Sequence, residues 1–275
     1  MKKYNNVLFL LNKNINLYYN NKGDGMKAII TGASSGIGRD IARVLSGKGY
    51  DLILVARRRK RLEDLKKELS TNVEIYEYDL SSTFNCMKLY DSIKNEDIDI
   101  LVNNAGFGLA GEFVDTKVDK ELDMIDLNIK APHILTKLFL KDFISNDSGY
   151  ILNVCSSAGF MAGPRLNTYY ATKNYLLKLT MAINEELRHK KSNVTISALC
   201  PGPVDTEFNK VAKVEFSMPS LSSEYVAKYA IDKMFRRKTI IVLGFKVRLA
   251  TTFSKLVSRK TVVKMTYNIQ RRKLK

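Results

Sequence analysis

The segment from Lys27 to Lys48 constrains the fold of this chain more than any other. Its first five residues, KAIIT, form a short apolar run that predicts a buried strand. The run leads directly into GASSGIG at residues 32–38, and apolar positions then repeat at helical spacing over residues 39–48. A strand, a glycine-rich turn and a helix N-terminus in this order create an anion site, because free N–H groups and the helix dipole point at the turn. A plain loop can carry the same glycines, but the flanking strand and helix favour a phosphate site that a pyrophosphate can approach closely.

Further apolar runs alternate with helical stretches along the chain. After the first strand, strands are predicted at residues 50–56, 73–78, 98–102, 150–155, 194–199 and 240–242. Helical stretches of ten or more residues, such as residues 120–144, separate several of them. This alternation implies right-handed βαβ units and a parallel sheet with helices on both faces. We therefore expect one α/β domain over residues 26–243, with ligands bound where the strands end.

A basic cluster, RRRKR, follows the second predicted strand and bears on the choice of cofactor. In dinucleotide sites of this kind, an acidic residue at the end of that strand accepts a hydrogen bond from the ribose 2′-OH of NAD. Here Ala56 stands at that place and Arg57 follows it, and a guanidinium suits a 2′-phosphate. The pattern favours NADP(H), with NAD(H) as the alternative. The competing interpretation is a solvated helix start whose arginines pair with Glu63 and Asp64.

Tyr169 and Lys173 stand four residues apart in a stretch that reads as a helix from Asn167 onward. Positions i and i+4 share one helix face, so the phenol and the ammonium can reach the same volume. Since a cation favours the phenolate, we expect Lys173 to lower the pKa of Tyr169 from its ordinary value near 10. Ser156 follows the predicted strand at residues 150–155, where its hydroxyl can donate to a substrate oxygen. A Tyr and a Lys at this spacing also occur on many helices without a catalytic role, so a catalytic interpretation of the pair depends on the other motifs of the chain.

The net charge of +17 would suit a nucleic-acid-binding protein if it were spread over the chain. However, residues 233–275 hold fourteen Lys and Arg and no Asp or Glu, which leaves +3 for everything before them. Neither a recognised nucleic-acid motif nor an aromatic platform accompanies this tail, so nucleic acid is not the expected partner. The three cysteines have no paired spacing, which is typical of reduced thiols in the cytosol. The two distant histidines, without a Cys or carboxylate cluster, predict no metal site.

The chain resembles the short-chain dehydrogenase/reductase family over about residues 27–241. Its motifs are specific in their order and separations, and they are Thr31-Gly32-x-x-x-Gly36-x-Gly38, Asp79, Asn103-Asn104-Ala105-Gly106, Asn128, Ser156, Tyr169-x-x-x-Lys173 and Pro201-Gly202 with Thr206. The resemblance implies a doubly wound, Rossmann-like parallel sheet of about seven strands and a nicotinamide cofactor. It also implies that the protein interconverts the carbonyl and secondary-alcohol forms of a small-molecule substrate.

The resemblance also implies roles for particular residues. Tyr169 is expected to be the general acid in reduction, Lys173 to hold the ribose hydroxyls and lower the pKa of Tyr169, and Ser156 to hydrogen-bond the substrate oxygen. Asn128 is expected to fix a water in a proton relay, and the separation from Tyr169 favours Ser156 over Ser157. The implied cofactor contacts besides Tyr169 and Lys173 are Gly32, Ser34, Ser35, Gly36, Ile37, Gly38, Arg57, Asp79, Leu80, Asn104, Ala105, Gly106, Pro201, Gly202, Val204 and Thr206.

A narrower resemblance bears on the substrate. The segments VARRRKRL, NNAGFG, ILNVCSSAGF, YYATK and ALCPGPVDT look like a bacterial branch that is similar to very-long-chain 3-oxoacyl-CoA reductases. This points to hydrophobic or acyl-type ketones. Residues 207–220 are expected to form a lid whose apolar members line a greasy pocket, namely Phe208, Val211, Val214, Phe216 and Met218. The alternative is a packed lid without selective meaning.

The tail at residues 244–275 has apolar residues at helical spacing, namely Phe245, Leu249, Phe253, Leu256, Val257, Val262, Met265 and Ile269. An amphipathic, purely basic helix is typical of an element that lies on an anionic membrane surface. The alternatives are docking of the stripe on the domain or on another subunit, and binding of an acidic ligand such as an acyl carrier or CoA phosphates.

The remaining expectations concern location, assembly and a competing function. No apolar run approaches the eighteen or so residues of a membrane span, so a cytoplasmic bacterial enzyme is expected, with peripheral membrane contact as one alternative for the tail. Residues 1–25 form an extension without an assigned role, and Met26 is an alternative start of translation. A homo-oligomer is expected by analogy with the family. The competing function is a membrane-associated, nucleotide-binding redox sensor with little turnover, against which the complete set of Ser156, Tyr169 and Lys173 argues.

Overall fold

The computed structural model describes residues 25–212, 220–253 and 256–271, and its strands are dominated by one parallel sheet. The strands are β1 (Lys27–Thr31), β2 (Asp51–Ala56), β3 (Val73–Glu77), β4 (Ile98–Asn103), β5 (Tyr150–Val154), β6 (Thr195–Cys200), β7 (Val204–Asp205), β8 (Leu221–Ser222) and β9 (Ile240–Val242). The seven-stranded sheet has the order β3-β2-β1-β4-β5-β6-β9, and β7 pairs separately with β8. The order reverses next to β1, as in a doubly wound sheet, so the expected fold class is confirmed.

Helices cover both faces of this sheet. They are α1 (Gly36–Ser46), α2 (Arg59–Glu68), α3 (Thr83–Ile93), α4 (Val118–Ile125), α5 (Ala131–Ser145), α6 (Asn167–His189), α7 (Phe208–Ala212), α8 (Ser223–Phe235), α9 (Phe245–Phe253) and α10 (Arg259–Arg271). Leucines and isoleucines of α1, α2 and α8 pack on one face of the sheet, and those of α3, α5 and α6 pack on the other. Fully burying such a side chain stabilises the fold by about 1.5–3 kcal/mol. The strands are therefore held with their carboxyl ends at one common edge.

The helix predicted over residues 120–144 is divided in the structure. A π-helical turn over Asp126–Lys130 separates α4 from α5, and Pro132 stands in the first turn of α5. Proline has no N–H, so it cannot donate to the carbonyl of Asn128 four residues earlier. Periodicity alone does not reveal this interruption, because the apolar spacing continues through it.

The tail packs on the domain through polar side chains and not through the predicted apolar stripe. In the described residues, Thr266 and Gln270 of α10 are buried, and Thr251 of α9 is buried as well. By contrast, large apolar side chains of the stripe are more than half exposed, namely Leu249, Phe253, Leu256, Met265 and Ile269. The outward surface of the tail is therefore apolar and basic.

None of the helices in the described part of the chain is both long enough and apolar enough to cross a bilayer. The expectations for residues 1–24 and for Val214, Phe216 and Met218 of the lid lie outside the described residues. The boundaries of the extension, the domain and the tail stay predictions.

Candidate active site

The glycine-rich turn after β1 is held against the ends of neighbouring strands. Gly32 donates its N–H to the carbonyl of Val55 over 2.8 Å and has a φ of +65°, which favours glycine. A Cβ at Gly32 would lie 2.8 Å from Cα of Ala105. The side-chain amide of Asn104 donates to the carbonyls of Thr31 and Gly32 over 3.0 and 3.1 Å. Asn104 therefore shapes the turn through hydrogen bonds to its backbone.

The turn opens into one continuous cleft of about 750 Å³. Except for Gly38 and Asn128, the cleft is lined by all residues that the sequence predicted for the site, namely Gly32, Ser34, Ser35, Gly36, Ile37, Arg57, Asp79, Leu80, Asn104, Ala105, Gly106, Ser156, Tyr169, Lys173, Pro201, Gly202, Val204 and Thr206. They come from the carboxyl ends of the central strands and from the loops that follow. The structure thus brings the predicted phosphate end and the predicted catalytic end into one space.

At the phosphate end, Arg58 contacts the glycine-rich turn, whereas Arg57, which the sequence predicts to hold a 2′-phosphate, lies beside Asp79. The Arg58 Nη2 atom lies 2.9 Å from the hydroxyl oxygens of both Ser34 and Ser35. Arg57 instead has a side chain that is 68% exposed, and its Nη1 lies 3.5 Å from a carboxylate oxygen of Asp79. Sequence analysis missed Arg58 because four further basic residues surround it and the pattern does not tell which of them turns toward the glycines.

Asp79 is already partnered in the structure. Its carboxylate accepts hydrogen bonds from the backbone N–H and the hydroxyl of Ser81 over 3.0 and 2.8 Å. Although partial burial opposes the effect, these bonds and the nearby Arg57 lower the pKa of Asp79, so the carboxylate is ionised near neutral pH.

At the catalytic end, α6 begins at Asn167 as predicted and presents Tyr169 and Lys173 from one face. The buried Lys173 donates from Nζ to the carbonyl of Val154, the last residue of β5, over 2.9 Å. Its Nζ lies 5.9 Å from the centre of the Tyr169 ring. Ser156 accepts a hydrogen bond at Oγ from the N–H of Ala158 over 3.1 Å, and its hydroxyl also hydrogen-bonds with Tyr169.

The pKa of Tyr169 differs from the expectation. Burial raises it above its ordinary value, while a hydrogen bond with Ser156 acts in the opposite direction and only partly offsets the burial. Burial also lowers the pKa of Lys173. Desolvation thus outweighs the predicted lowering of the Tyr169 pKa by Lys173. The phenolate and the ammonium each lose more solvation on burial than their one close polar partner restores. The phenol is held in its protonated form at neutral pH.

Asn128 lies behind this pair in the π-helical turn. Its Oδ1 accepts from the N–H of Phe107 over 3.1 Å, and its Nδ2 donates to the carbonyl of Phe107 and to the hydroxyl of Thr172. A Cβ at Gly106 would lie 2.8 Å from Asn128 Oδ1 and 3.5 Å from Lys173 Nζ. Asn128 therefore fixes the Phe107 backbone beside Lys173, and its side chain has no further donor to offer.

Beyond Tyr169, the cleft widens into a mainly apolar chamber. Phe208 of α7 packs on Tyr169 with ring centroids 5.2 Å apart, and Met161, Leu166, Val247 and Ile269 line the walls. Gln270 of α10 donates to the hydroxyl of Tyr170 over 2.5 Å, and its buried Oε1 has no hydrogen-bond partner. Sequence analysis missed Gln270, since a basic tail gives no signal that one of its amides faces a cleft 100 residues away.

The thiols below the site are not arranged as metal ligands. Cys86, Cys155 and Cys200 are all free and buried. Hydrogen bonding with Cys155 and burial raise the pKa of Cys200 well above its ordinary value. Among the described residues, no group of three or more His, Cys, Asp or Glu side chains could hold a metal ion.

The cleft fits a dinucleotide on geometric grounds. A Cβ at Gly36 would lie 3.0 Å from the Thr206 side chain, and one at Gly38 would lie 2.6 Å from the carbonyl of Gly32. A side chain at either position would therefore force the turn out of the conformation that presents its backbone to a pyrophosphate. The free N–H groups at the start of α1 point toward the same space.

Comparisons with known proteins agree with this geometry. A family model described as short chain dehydrogenase matches residues 26–215. The NADP-dependent 3-hydroxy acid dehydrogenase of Schizosaccharomyces pombe is 32% identical over 239 residues, covering 80% of this chain and 90% of that protein. A very-long-chain 3-oxoacyl-CoA reductase of Laccaria bicolor is 31% identical over 205 residues, covering 71% of this chain and 60% of that protein. Among solved structures, a short-chain dehydrogenase from Sphingobium yanoikuyae in complex with NADPH has 28% identity and a TM-score of 0.76, covering 84% of this chain and 93% of that one.

Replacing Gly38 by Ala tests the glycine-rich turn. The added Cβ would lie 2.3 Å from Asn104 Nδ2 and 2.6 Å from the Gly32 carbonyl, so the turn must move. We expect a loss of about 1–3 kcal/mol in the free energy of unfolding and loss of the rise in melting temperature that we expect NADPH to give to the unchanged protein. Gly47→Ala is the matched control, because Gly47 has helical φ and its Cβ would approach no atom more closely than 3.3 Å. A Gly38→Ala protein that keeps the full NADPH shift would contradict this account of the turn.

Proposed function

This chain belongs to the short-chain dehydrogenase family, and we propose that it is an NADP(H)-preferring oxidoreductase that interconverts a hydrophobic ketone and its secondary alcohol. The observation that carries the proposal is the placement of Ser156, Tyr169 and Lys173 in the same cleft as the glycine-rich turn. Phosphate binding and proton transfer are thereby available within one site. The relatives reported above, a 3-hydroxy acid dehydrogenase and a 3-oxoacyl-CoA reductase, are named for chemistry of this class.

The proposed mechanism assigns proton transfer to the protein. When bound, the nicotinamide supplies the hydride for reduction or takes it up in oxidation. Ser156 donates a hydrogen bond to the carbonyl oxygen, and Tyr169 transfers its phenolic proton to the same oxygen as negative charge develops there. Because the pKa of Tyr169 is raised by burial, the phenol is protonated and ready for the reductive direction at neutral pH.

Lys173 and Asn128 are proposed to support this transfer. Lys173 uses one N–H on the Val154 carbonyl, so its other protons remain for the ribose hydroxyls beside Gly106. Once a cofactor covers the cleft, the ammonium can favour the phenolate that is left after reduction. The side-chain groups of Asn128 are already hydrogen-bonded to Phe107 and Thr172. The proposed water would therefore have to bind the backbone carbonyl oxygen of Asn128, to which Pro132 cannot donate.

The preference for NADP(H) is supported by the basic residues at the phosphate end. Arg58 faces the serines of the glycine-rich turn, and Arg57 stands at the mouth of the cleft next to Asp79. A guanidinium can hold a 2′-phosphate with two parallel hydrogen bonds, whereas the neutral 2′-OH of NAD(H) gains little from it.

The preference for a hydrophobic substrate is supported by the chamber beyond Tyr169. Among the residues that line it are Met161, Leu166, Phe208 and Val247, which are apolar. A ketone with a long apolar group would bury that group against Met161, Leu166 and Phe208, each buried Å² of apolar surface contributing roughly 25 cal/mol.

Replacing Tyr169 by Phe tests the enzyme against the redox-sensor alternative. The change removes only the hydroxyl, so we expect at least about 100-fold loss of turnover with unchanged NADPH binding, because proton donation contributes on the order of 10²–10⁴-fold. Turnover is followed by NADPH oxidation with a panel of hydrophobic ketones, and binding by NADPH fluorescence. The adjacent Tyr170→Phe is the matched control and should keep most of the activity. Equal activity of the two variants would remove Tyr169 from the proposed role.

Replacing Arg58 by Ala tests the cofactor preference. Loss of a charge-assisted hydrogen-bond donor costs about 1.5–3 kcal/mol, so NADPH affinity should fall roughly ten- to a hundredfold while NADH affinity changes little. Arg59→Ala is the control, since Arg59 pairs with Glu63 along α2. The dissociation constants of both cofactors are measured for each variant. If NADPH and NADH affinities fall equally, Arg58 does not recognise the 2′-phosphate.

Peripheral contact with an anionic membrane stays a second proposal, favoured by the exposed apolar and basic surface of α9 and α10. Near such a surface each cation contributes about 1 kcal/mol, so the protein should co-sediment with phosphatidylserine vesicles and dissociate as salt is raised. A Leu249→Ser, Phe253→Ser double variant should bind less, and Phe84→Ser, which changes an even more exposed residue on α3, should not. Absence of co-sedimentation at low salt would refute the contact. Homo-oligomerisation remains a prediction from the family resemblance.

A further inference from the structure

Glu207 holds the arginines of the phosphate end from the opposite side of the cleft. One of its carboxylate oxygens accepts from Arg58 Nη1 over 2.8 Å, and the other accepts from Arg61 Nη1. Arg58 simultaneously holds Ser34 and Ser35 with its other guanidinium nitrogens. The carboxylate thus lies on the same guanidinium groups that the proposed function gives to the 2′-phosphate.

Glu207 is an anion at every pH at which the protein would work. The hydrogen bonds from Arg58 and Arg61 lower its pKa to about 2. Its side chain is 41% exposed, so solvent screens the ion pairs and each is worth little more than about 1 kcal/mol. Ion pairs of this strength between Glu207 and the two arginines are strong enough to be populated and weak enough for a phosphate to replace the carboxylate.

The same residue is joined to the substrate chamber by the chain itself. Thr206 precedes it in the lining of the cleft, and α7 begins at Phe208 directly after it. Phe208 packs on the ring of Tyr169 and would contact any side chain at Gly108, with 2.7 Å between its Cζ and a Cβ there. A movement of Glu207, the first residue of the expected lid, therefore shifts Phe208 next to it.

We propose that Glu207 is a resident anion that the 2′-phosphate of NADP(H) displaces from Arg58 and Arg61, and that this displacement releases the start of α7. The inference rests on the proposed cofactor preference. Glu207 weakens NADP(H) binding by competing for the guanidinium groups. The same competition makes the attachment of the lid segment depend on the 2′-phosphate, which distinguishes NADP(H) from NAD(H). A ligand can shift such an equilibrium only by its differential affinity for the two states, which the competition for one site provides.

The test uses two nucleotide fragments that cannot react and that differ only in the 2′-phosphate, 2′,5′-ADP and 5′-AMP, with binding measured by titration calorimetry. Glu207→Gln keeps the shape of the side chain and removes its charge. We expect this variant to bind 2′,5′-ADP about fivefold more tightly than the unchanged protein, equivalent to about 1 kcal/mol, with no change for 5′-AMP. Glu63→Gln is the control, since Glu63 pairs with Arg59 and does not line the cleft.

The outcomes separate this proposal from the proposed cofactor preference. If the unchanged protein prefers 2′,5′-ADP and Glu207→Gln leaves that affinity unchanged or weaker, the competition is refuted and the preference stands. A variant that prefers 2′,5′-ADP while the unchanged protein does not would support the competition and overturn the preference. Indifference of both proteins to the extra phosphate would overturn both. Weaker binding of 5′-AMP to the variant would mean that Glu207 accepts from the 2′-OH, which also refutes the displacement.

Hydrogen exchange tests the connection to α7. In the unchanged protein, 2′,5′-ADP should increase amide exchange in a peptide covering residues 207–212, because the Glu207 attachment is lost. In Glu207→Gln that exchange should already be high without the fragment. No change in this peptide in the unchanged protein, at saturating 2′,5′-ADP, would refute release of the lid segment.

Discussion

The hydrogen bond from the buried ammonium of Lys173 to the carbonyl of Val154 determines where chemistry can take place in this protein. A buried cation without a partner is costly, so this bond ties α6 to the end of β5. Tyr169, one helical turn earlier, is thereby placed over the loop that begins with Ser156. The three groups meet because β5 ends and α6 begins at the same edge of the sheet.

The glycine-rich turn depends on an equally local constraint at the next strands. Asn104 at the end of β4 holds the carbonyls of Thr31 and Gly32, while Gly38 leaves no room for a Cβ against that amide. The backbone N–H groups near the start of α1 are thus presented to the cleft. Because Thr206, Glu207 and Phe208 follow one another in the chain, the phosphate end and the substrate chamber are linked by a single short segment.

Much of this arrangement could be predicted from the sequence, for physical reasons that also explain what could not. Apolar runs and glycines report local requirements, so the seven strands and the turn at residues 32–38 were predicted correctly. The choice between Arg57 and Arg58 depends on side-chain direction, which a run of five basic residues does not encode. The pKa of Tyr169 depends on burial as well as on its charged neighbour, and spacing reveals only the neighbour. The apolar stripe of the tail could be identified from its spacing, but α10 packs on the domain through Thr266 and Gln270. Which helix face packs depends on residues of the domain that are distant in sequence.

In the proposed function, this cleft transfers a hydride between NADP(H) and a hydrophobic ketone. The most direct measurement supplies NADPH that carries deuterium at the transferable position of the nicotinamide, together with long-chain, cyclic and acyl-thioester ketones, and analyses the products by mass spectrometry. We predict a secondary alcohol with one deuterium on its carbinol carbon. An NADPH-saturated protein that forms no alcohol from any of these ketones, or an alcohol without deuterium at that carbon, would contradict the claim.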